Sequence, residues 1–369
     1  MKKISVSICV YLWTIILCLS ISAQDFRTVQ DGIEYAEMTR GTKEEPVRIN
    51  LLRLDLTKVR LDVVHAMDAA IGTETTSSMA TRYGAFAAIN AGFFRLDKSI
   101  FAGDSAGVLM IDGNLLSESY QRRIAMFINN ESNETKVDIG HLKFLSYVVF
   151  NKNSIPAEMN RERKDDDLVI YTPEFNRTTL TNDNGTEIIV KNEKISQIID
   201  GKGSNIIPQN GFVISASGNR RAEILKLAKI KLKTFISFGT PTKFKGIYED
   251  IVGGVPQLIK DGKIEITWEQ EKASKSFVET RHPRTAVAKL KDGKFLMVTV
   301  DGRQAKSIGM NLNELAALLL ELGATDAMNL DGGGSTTMFL DGKIVNKPSD
   351  KEGERKVSDA ILVFPRKKQ

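Results

Sequence analysis

Eight Asp-Gly pairs, at 31, 112, 200, 261, 292, 301, 331 and 341, punctuate this 369-residue chain. Glycine takes positive φ without steric cost, so Asp-Gly between two apolar alternations is a strong hairpin signal. Val287-Ala-Lys-Leu290, Lys291-Asp-Gly-Lys294 and Phe295-Leu-Met-Val-Thr-Val300 form the clearest instance. Pro256-Gln-Leu-Ile-Lys-Asp-Gly-Lys-Ile264 and Gly107-Val-Leu-Met-Ile-Asp-Gly-Asn-Leu115 repeat it. Antiparallel pairing is the folding solution that such spacing favours.

Three segments carry helix signals. Residues 75–83 open on Thr/Ser caps and close at Gly84. Residues 222–232 have helical apolar spacing. Residues 312–322 follow Asn311, with Glu314 at the reciprocal capping position and Gly323 as terminator. Strands and helices together predict an α+β fold: a mixed, largely antiparallel sheet with packed helices, in a single elaborated domain. The stretch near 129–215 is richer in turns and charge clusters, among them Arg161-Glu-Arg-Lys-Asp-Asp-Asp167, and reads as a variable central insert. The alternative is two lobes divided near 140–215.

The first residues set the expected compartment. Lys2 and Lys3 precede an apolar run at 8–19, followed by Ser20-Ile-Ser-Ala23. A basic start, a short apolar core and small residues predict a signal peptide over 1–23, cleaved near Ala23. The expected location is therefore exported, periplasmic or extracellular, with no stable membrane insertion after cleavage. Both cysteines, Cys9 and Cys18, lie within this segment. The mature chain would have no disulfide, zinc–thiolate site or cysteine nucleophile. The whole chain carries 51 Lys+Arg against 46 Asp+Glu, a formal charge of +5 spread along its length. No basic stripe for nucleic acid is present. Oligomeric state is not encoded in any pattern seen here.

The chemistry concentrates in two distant places. An apolar strand ends in Asn90-Ala-Gly-Phe-Phe94, where Asn90 offers donor and acceptor together and Gly92 permits close backbone approach. The second region begins with Arg281-His-Pro-Arg-Thr285 and continues through Asp301-Gly-Arg303. It ends in Asn329-Leu-Asp-Gly-Gly-Gly-Ser-Thr-Thr337. The glycines 332–334 followed by Ser335 and Thr336 make a loop whose amides can converge on an anion. It is neither a Walker A loop nor a dinucleotide fingerprint, because the required spacing and following helix are absent. Arg281, Arg284 and Arg303 supply forked donors suited to phosphate or carboxylate, with Thr285 beside them. Asp301 and Asp331 supply carboxylates at strand ends.

In this order, Asn90-Ala-Gly-Phe-Phe, Gly253-Gly-Val-Pro256, Arg281-His-Pro-Arg-Thr-Ala, Asp301-Gly-Arg, Asn329-Leu-Asp-Gly-Gly-Gly-Ser and Ser358-Asp359 resemble the phosphodiester glycosidase family, over roughly residues 30–365. The resemblance implies one catalytic domain over 24–369 and hydrolysis of a sugar-1-phosphodiester between the anomeric carbon and a phosphate oxygen. It implies a phosphodiester-linked glycan as the partner. Asp301, Asp331, Arg303 and Asn329 are the expected catalytic residues. Asn90, Gly92, Arg281, Arg284, Thr285, Gly332, Gly333, Gly334, Ser335, Thr336 and Asp359 are the expected substrate and phosphate contacts. No cofactor is expected. Asp301, Asp331, Asn329 and Asp359 offer oxygen ligands that leave a Ca²⁺ or Mg²⁺ ion open. His65, His141 and His282 show no zinc spacing. Two other readings stand beside this one: a non-catalytic glycan- or phosphate-binding protein, and a phosphodiesterase that cleaves P–O.

Overall fold

The computed structural model describes residues 25–118, 122–239 and 248–367. The expected signal peptide lies outside the described residues. The chain is dominated by strands, at 46% strand against 12% helix. This corrects the expected α+β fold with packed helices: the molecule is β-rich. The physical reason is that sheets cover sheets here. Among the described residues only one helix, Leu312–Glu321, packs a broad apolar face, through Leu312, Leu315, Ala316, Leu318 and Leu319.

An eight-stranded sheet runs in the order Arg27–Gln30, Ile33–Gly41, Pro46–Leu54, Phe295–Val300, Arg284–Leu290, Ala324–Asn329, Gln257–Lys260, Lys263–Ile264. One face packs on the Leu312–Glu321 helix, with Ile49, Leu51, Ala286, Ala288 and Val298 in the shared core. Alternate residues Leu52, Leu54, Val287 and Met297 point the other way, as a period of two requires. That face meets Leu61, Val63, Ile89 and Ile361 of a five-stranded sheet containing Val59–His65, Ala87–Asn90, Met338–Leu340 and Asp359–Pro365. It also meets Leu109, Ile124, Met126, Ile128 and Val252 of a second five-stranded sheet.

Residues 145–239 form a seven-stranded sheet of their own. On its strand Leu168–Tyr171, Leu168 and Ile170 enter one core with Ile224 of the Gly218–Leu227 helix. Val169 and Tyr171 enter another with Phe101. The stretch expected as a turn-rich insert thus contains buried strands with two apolar faces. Within this sheet Asn153–Met159 pairs with Leu168–Tyr171 in parallel.

Five of the Asp-Gly pairs, at 31, 112, 261, 292 and 341, join hydrogen-bonded antiparallel strands. The pairs at 200, 301 and 331 do not, and the last two belong to the candidate site. The helix expected over 75–83 is present as Thr76–Tyr83, with Thr75 accepting from the Ser78 amide. The third has the capping box of Asn311 and Glu314. The helix expected over 222–232 instead spans Gly218–Leu227. It stops because Lys231 N–H donates to Ile195 O (2.8 Å) and Leu232 O accepts from Ile195 N–H (3.0 Å), which commits that backbone to the sheet. The short helix Lys275–Glu279 carries too brief a pattern to be seen in the sequence. Among the described residues no helix is long and apolar enough to cross a membrane.

Candidate active site

The site is assembled by strand ends. Ala87–Asn90 lies fully buried between Met338–Leu340 and Asp359–Pro365. Asn90 ends it and ties three distant segments together. Its Nδ2 donates to Asp331 O (2.7 Å), and its Oδ1 accepts from Thr285 Oγ1 (2.8 Å) and Thr337 N–H (3.1 Å). Only an amide side chain offers both functions in that volume. The expected association of Asn90, Thr285 and the glycine loop is therefore a direct one in space.

Past Asn90, the Ala91 carbonyl accepts from Asp331 N–H (2.9 Å). Gly92 N–H donates to Asp359 Oδ1, and Ser358 Oγ donates to Asp359 Oδ2 (2.6 Å). A Cβ on Gly92 would stand 3.2 and 3.3 Å from the two carboxylate oxygens, so a side chain would crowd that bond. Asp359 is buried, and burial raises its pKa against the opposing pull of His65. His65 is also buried; both its ring nitrogens face carbonyls, Ala66 O at 3.0 Å and Gly103 O at 3.3 Å. Burial holds its pKa below the usual value. Asp359 thus acts on the Gly92 backbone.

The loop after Ala324–Asn329 enters a 3₁₀ turn, Gly333–Ser335. Gly332 N–H donates to Asp331 Oδ1 (2.9 Å), and Gly333 N–H to Pro283 O (2.9 Å). These two amides, expected to cradle an anion, already have partners within the chain. The positive charge over the loop comes from side chains. Gly333 has φ +61°, and a Cβ there would lie 3.2 Å from both terminal nitrogens of Arg303. A Cβ on Gly334 would lie 2.2 Å from Arg355 Nη2 and 2.2 Å from Asp350 Oδ1. Arg355 is held by Asp350 through Nε (2.7 Å) and Nη2 (3.0 Å). Gly334→Ala should therefore destabilise the fold by roughly 1–3 kcal/mol through overpacking, read as a lower urea midpoint at unchanged slope.

Arg303 is exposed and adopts φ +58°, an uncommon conformation for a residue with a Cβ. Its Nη2 donates to His282 Nδ1 (3.1 Å). Burial, Arg284 and Arg303 all lower the His282 pKa, so the ring is neutral near pH 7 with its proton on Nε2. Asp331 is partly accessible. Burial pushes its carboxyl up to about 6, against Ser335, the Gly332 amide and Arg355.

The remaining expected residues have other surroundings. Arg284 is buried, and its guanidinium donates to Met310 O (3.0 Å), Phe277 O (2.8 Å) and Thr280 O (2.8 Å). Its donors hold the 277–280 and 310 segments in place. Arg281 pairs with Glu314 at the start of the Leu312–Glu321 helix. Asn329 is buried; its Nδ2 donates to Val255 O (2.7 Å) and Leu330 O (2.8 Å). This fixes the Gly253-Gly-Val-Pro256 turn beneath the loop. Asp301 is also buried, and its Oδ1 accepts from Lys347 N–H (3.0 Å) and Asn346 Nδ2 (3.2 Å). Asn346 Nδ2 donates as well to Thr336 O (3.0 Å). Asp301 therefore stands behind the loop, one side chain removed, and lines a separate cavity with Arg48 and Lys347. Ser335 and Thr336 are buried within the turn.

Among the described residues no group of three or more His, Cys, Asp or Glu is placed to hold a metal ion. Arg355 and Asp350 are not legible in the sequence, and His65 figures there only as a candidate metal ligand. Arg355 lies three residues before Ser358-Asp359, and that proximity was the one available hint.

Residues 182–364 match the sequence profile of a family described as phosphodiester glycosidase. The bovine N-acetylglucosamine-1-phosphodiester alpha-N-acetylglucosaminidase is 30% identical over 167 residues, 43% of this chain and 30% of that protein. A prophage-derived uncharacterized protein of Bacillus subtilis is 37% identical over 86 residues, 23% of this chain and 13% of that protein. The chain thus covers less than a third of the length of either relative. A hypothetical protein from Synechocystis shares the fold, with TM-score 0.81, 23% identity, and coverage of 92% of this chain and 63% of that one.

Proposed function

We propose, from the match of residues 182–364 to the phosphodiester glycosidase profile, that the chain is an exported hydrolase of a sugar-1-phosphodiester. The products are a free sugar and a phosphomonoester. The observation that carries this reading is the arrangement at the glycine loop. Two guanidinium groups, Arg303 and the Asp350-paired Arg355, lie against Gly333 and Gly334 beside Asp331, whose carboxyl is pushed up to about 6.

In the proposed step, ionised Asp331 accepts a proton from water. The water oxygen bonds to the anomeric carbon as the carbon–oxygen bond breaks. The bonding pair leaves with the phosphate, whose growing charge Arg303 and Arg355 stabilise. Phosphate is a good leaving group, so no strong acid is needed at the departing oxygen. Asn90 and Asp359 are positioning residues, the first for the Asp331 backbone and the second for Gly92. Asp301 and Asn329 hold the loop from behind. Export is proposed from Lys2, Lys3 and the apolar run that follows.

Hydrolysis in heavy-oxygen water tests the bond broken. The label is expected in the sugar hydroxyl. Label in the phosphomonoester would replace this reading with P–O cleavage.

A further inference from the structure

A second cavity, of about 670 Å³, lies beside residues 104–107, which run along the irregular segment that follows Asn90. Its size is in the range of small-molecule sites. Segment 104–107 forms its inner wall and runs back along 93–95. Ala106 N–H donates to Phe93 O (2.7 Å), and Arg95 N–H to Asp104 O (2.8 Å). Ser105 lines the cavity, and its side chain is near enough to the Asp359 carboxyl to oppose the rise in its pKa. The cavity and the candidate active site therefore share a wall.

Its chemistry is specific. Asp104, Glu118 and Glu158 supply carboxyls, and Arg123, Arg161 and Lys164 supply cations. Arg123 Nε donates to Glu271 O (3.2 Å). Asp104 Oδ1 is buried with no hydrogen-bond partner. Burial pushes that carboxyl up to about 7. Burial and the neighbouring Glu158 push Glu118 up to about 9, so Glu118 holds a proton and can donate. Arg161 is shared among Asp167 (2.7 Å), Glu118 (3.6 Å) and Glu158 (3.7 Å). Free phosphate would meet the unpartnered Asp104 oxygen and the Glu158 carboxylate here. A dication would meet Arg123, Arg161 and Lys164. Vicinal hydroxyls, each both donor and acceptor, satisfy an open carboxylate oxygen and a protonated carboxyl at once.

We infer that this cavity is a subsite for an uncharged sugar unit of the glycan, beyond the unit attached to the phosphate. The inference rests on the proposed glycosidase reading, but its test needs no turnover. Calorimetric titration of maltose, cellobiose and diacetylchitobiose into the Asp331→Asn chain reads binding alone. At least one disaccharide is expected to bind saturably. Asp104→Leu and Glu118→Leu, added singly, should each weaken it at least tenfold. Asp104→Asn, which keeps hydrogen-bonding capacity and the shape of the folded site, should lose less than Asp104→Leu. The inference is overturned if none of the disaccharides binds. It is equally overturned if affinity is the same in all three cavity variants, or if inorganic phosphate is the ligand lost from them. Absence of sugar release by the parent chain would instead refute the glycosidase reading, whatever the disaccharides do.

Discussion

Asp331→Asn should lower kcat by about 10²–10⁴, the usual worth of a positioned general base. The substitution keeps the side-chain shape and an oxygen that can still accept from Gly332 N–H, but it cannot take a proton from water. The parent rate should rise with pH through about 6, where Asp331 ionises, and then level off. That rising limb should be absent from the residual activity of the variant. Stability should move the other way. A carboxyl whose folded pKa lies above its unfolded value binds its proton more tightly when folded. Its contribution to stability is full below about 4 and is lost as pH rises through about 6. At neutral pH the ionised group costs up to about 3 kcal/mol, from roughly two pK units at 1.36 kcal/mol each. Asp331→Asn should therefore melt above the parent at pH 7.5 and converge with it near pH 4. A variant that loses activity and also melts lower would mark Asp331 as a structural residue.

The second large effect is expected at Asn90. Its amide makes three hydrogen bonds to Asp331, Thr285 and Thr337 and is buried. Asn90→Ala removes all three and leaves buried polar groups on two segments without their partner. Each lost bond is worth about 1 kcal/mol net, and each stranded group adds to the cost. The expected loss is roughly 3–5 kcal/mol, measured from urea unfolding. Asn90→Asp keeps the acceptor role toward Thr285 and Thr337. It also turns a carboxyl oxygen toward the Asp331 carbonyl, which repels it. That variant should recover part of the stability but little of the activity, because Asp331 is displaced. Full activity in a stable Asn90→Ala chain would detach this clasp from the site.

Much of the local architecture was written in short-range chemistry. Positive-φ demands at Gly113, Gly262 and Gly342 are met in hairpins where Asp-Gly pairs mark them. The Asn311 and Glu314 cap is a local signal read over four residues. What covers a sheet is not local. Caps and apolar stripes suggested packed helices, whereas Leu52, Leu54 and Val287 are covered by other strands. The two-faced strand Leu168–Tyr171 shows what composition hides in the central stretch: its continuous apolar run sits among polar turns, and turns dominate composition there.

The site divides in the same way. Asn90, Thr285 and Asp331 stand at strand ends that pairing brings together. The direction of a guanidinium is set by the surroundings. Arg284 and Arg303 look alike in sequence, yet one is buried on three carbonyls and the other is exposed over Gly333. Arg355 carries no motif at all, and only the path of residues 350–355 over Gly334 discloses it.

The most direct test is sugar release from a panel of sugar-1-phosphodiesters by the purified chain and by Asp331→Ala. The account predicts that at least one member is cleaved to a free sugar by the parent and that the folded variant is inactive toward it. Saturable binding of the same compounds without release, or equal release by both proteins, would contradict it.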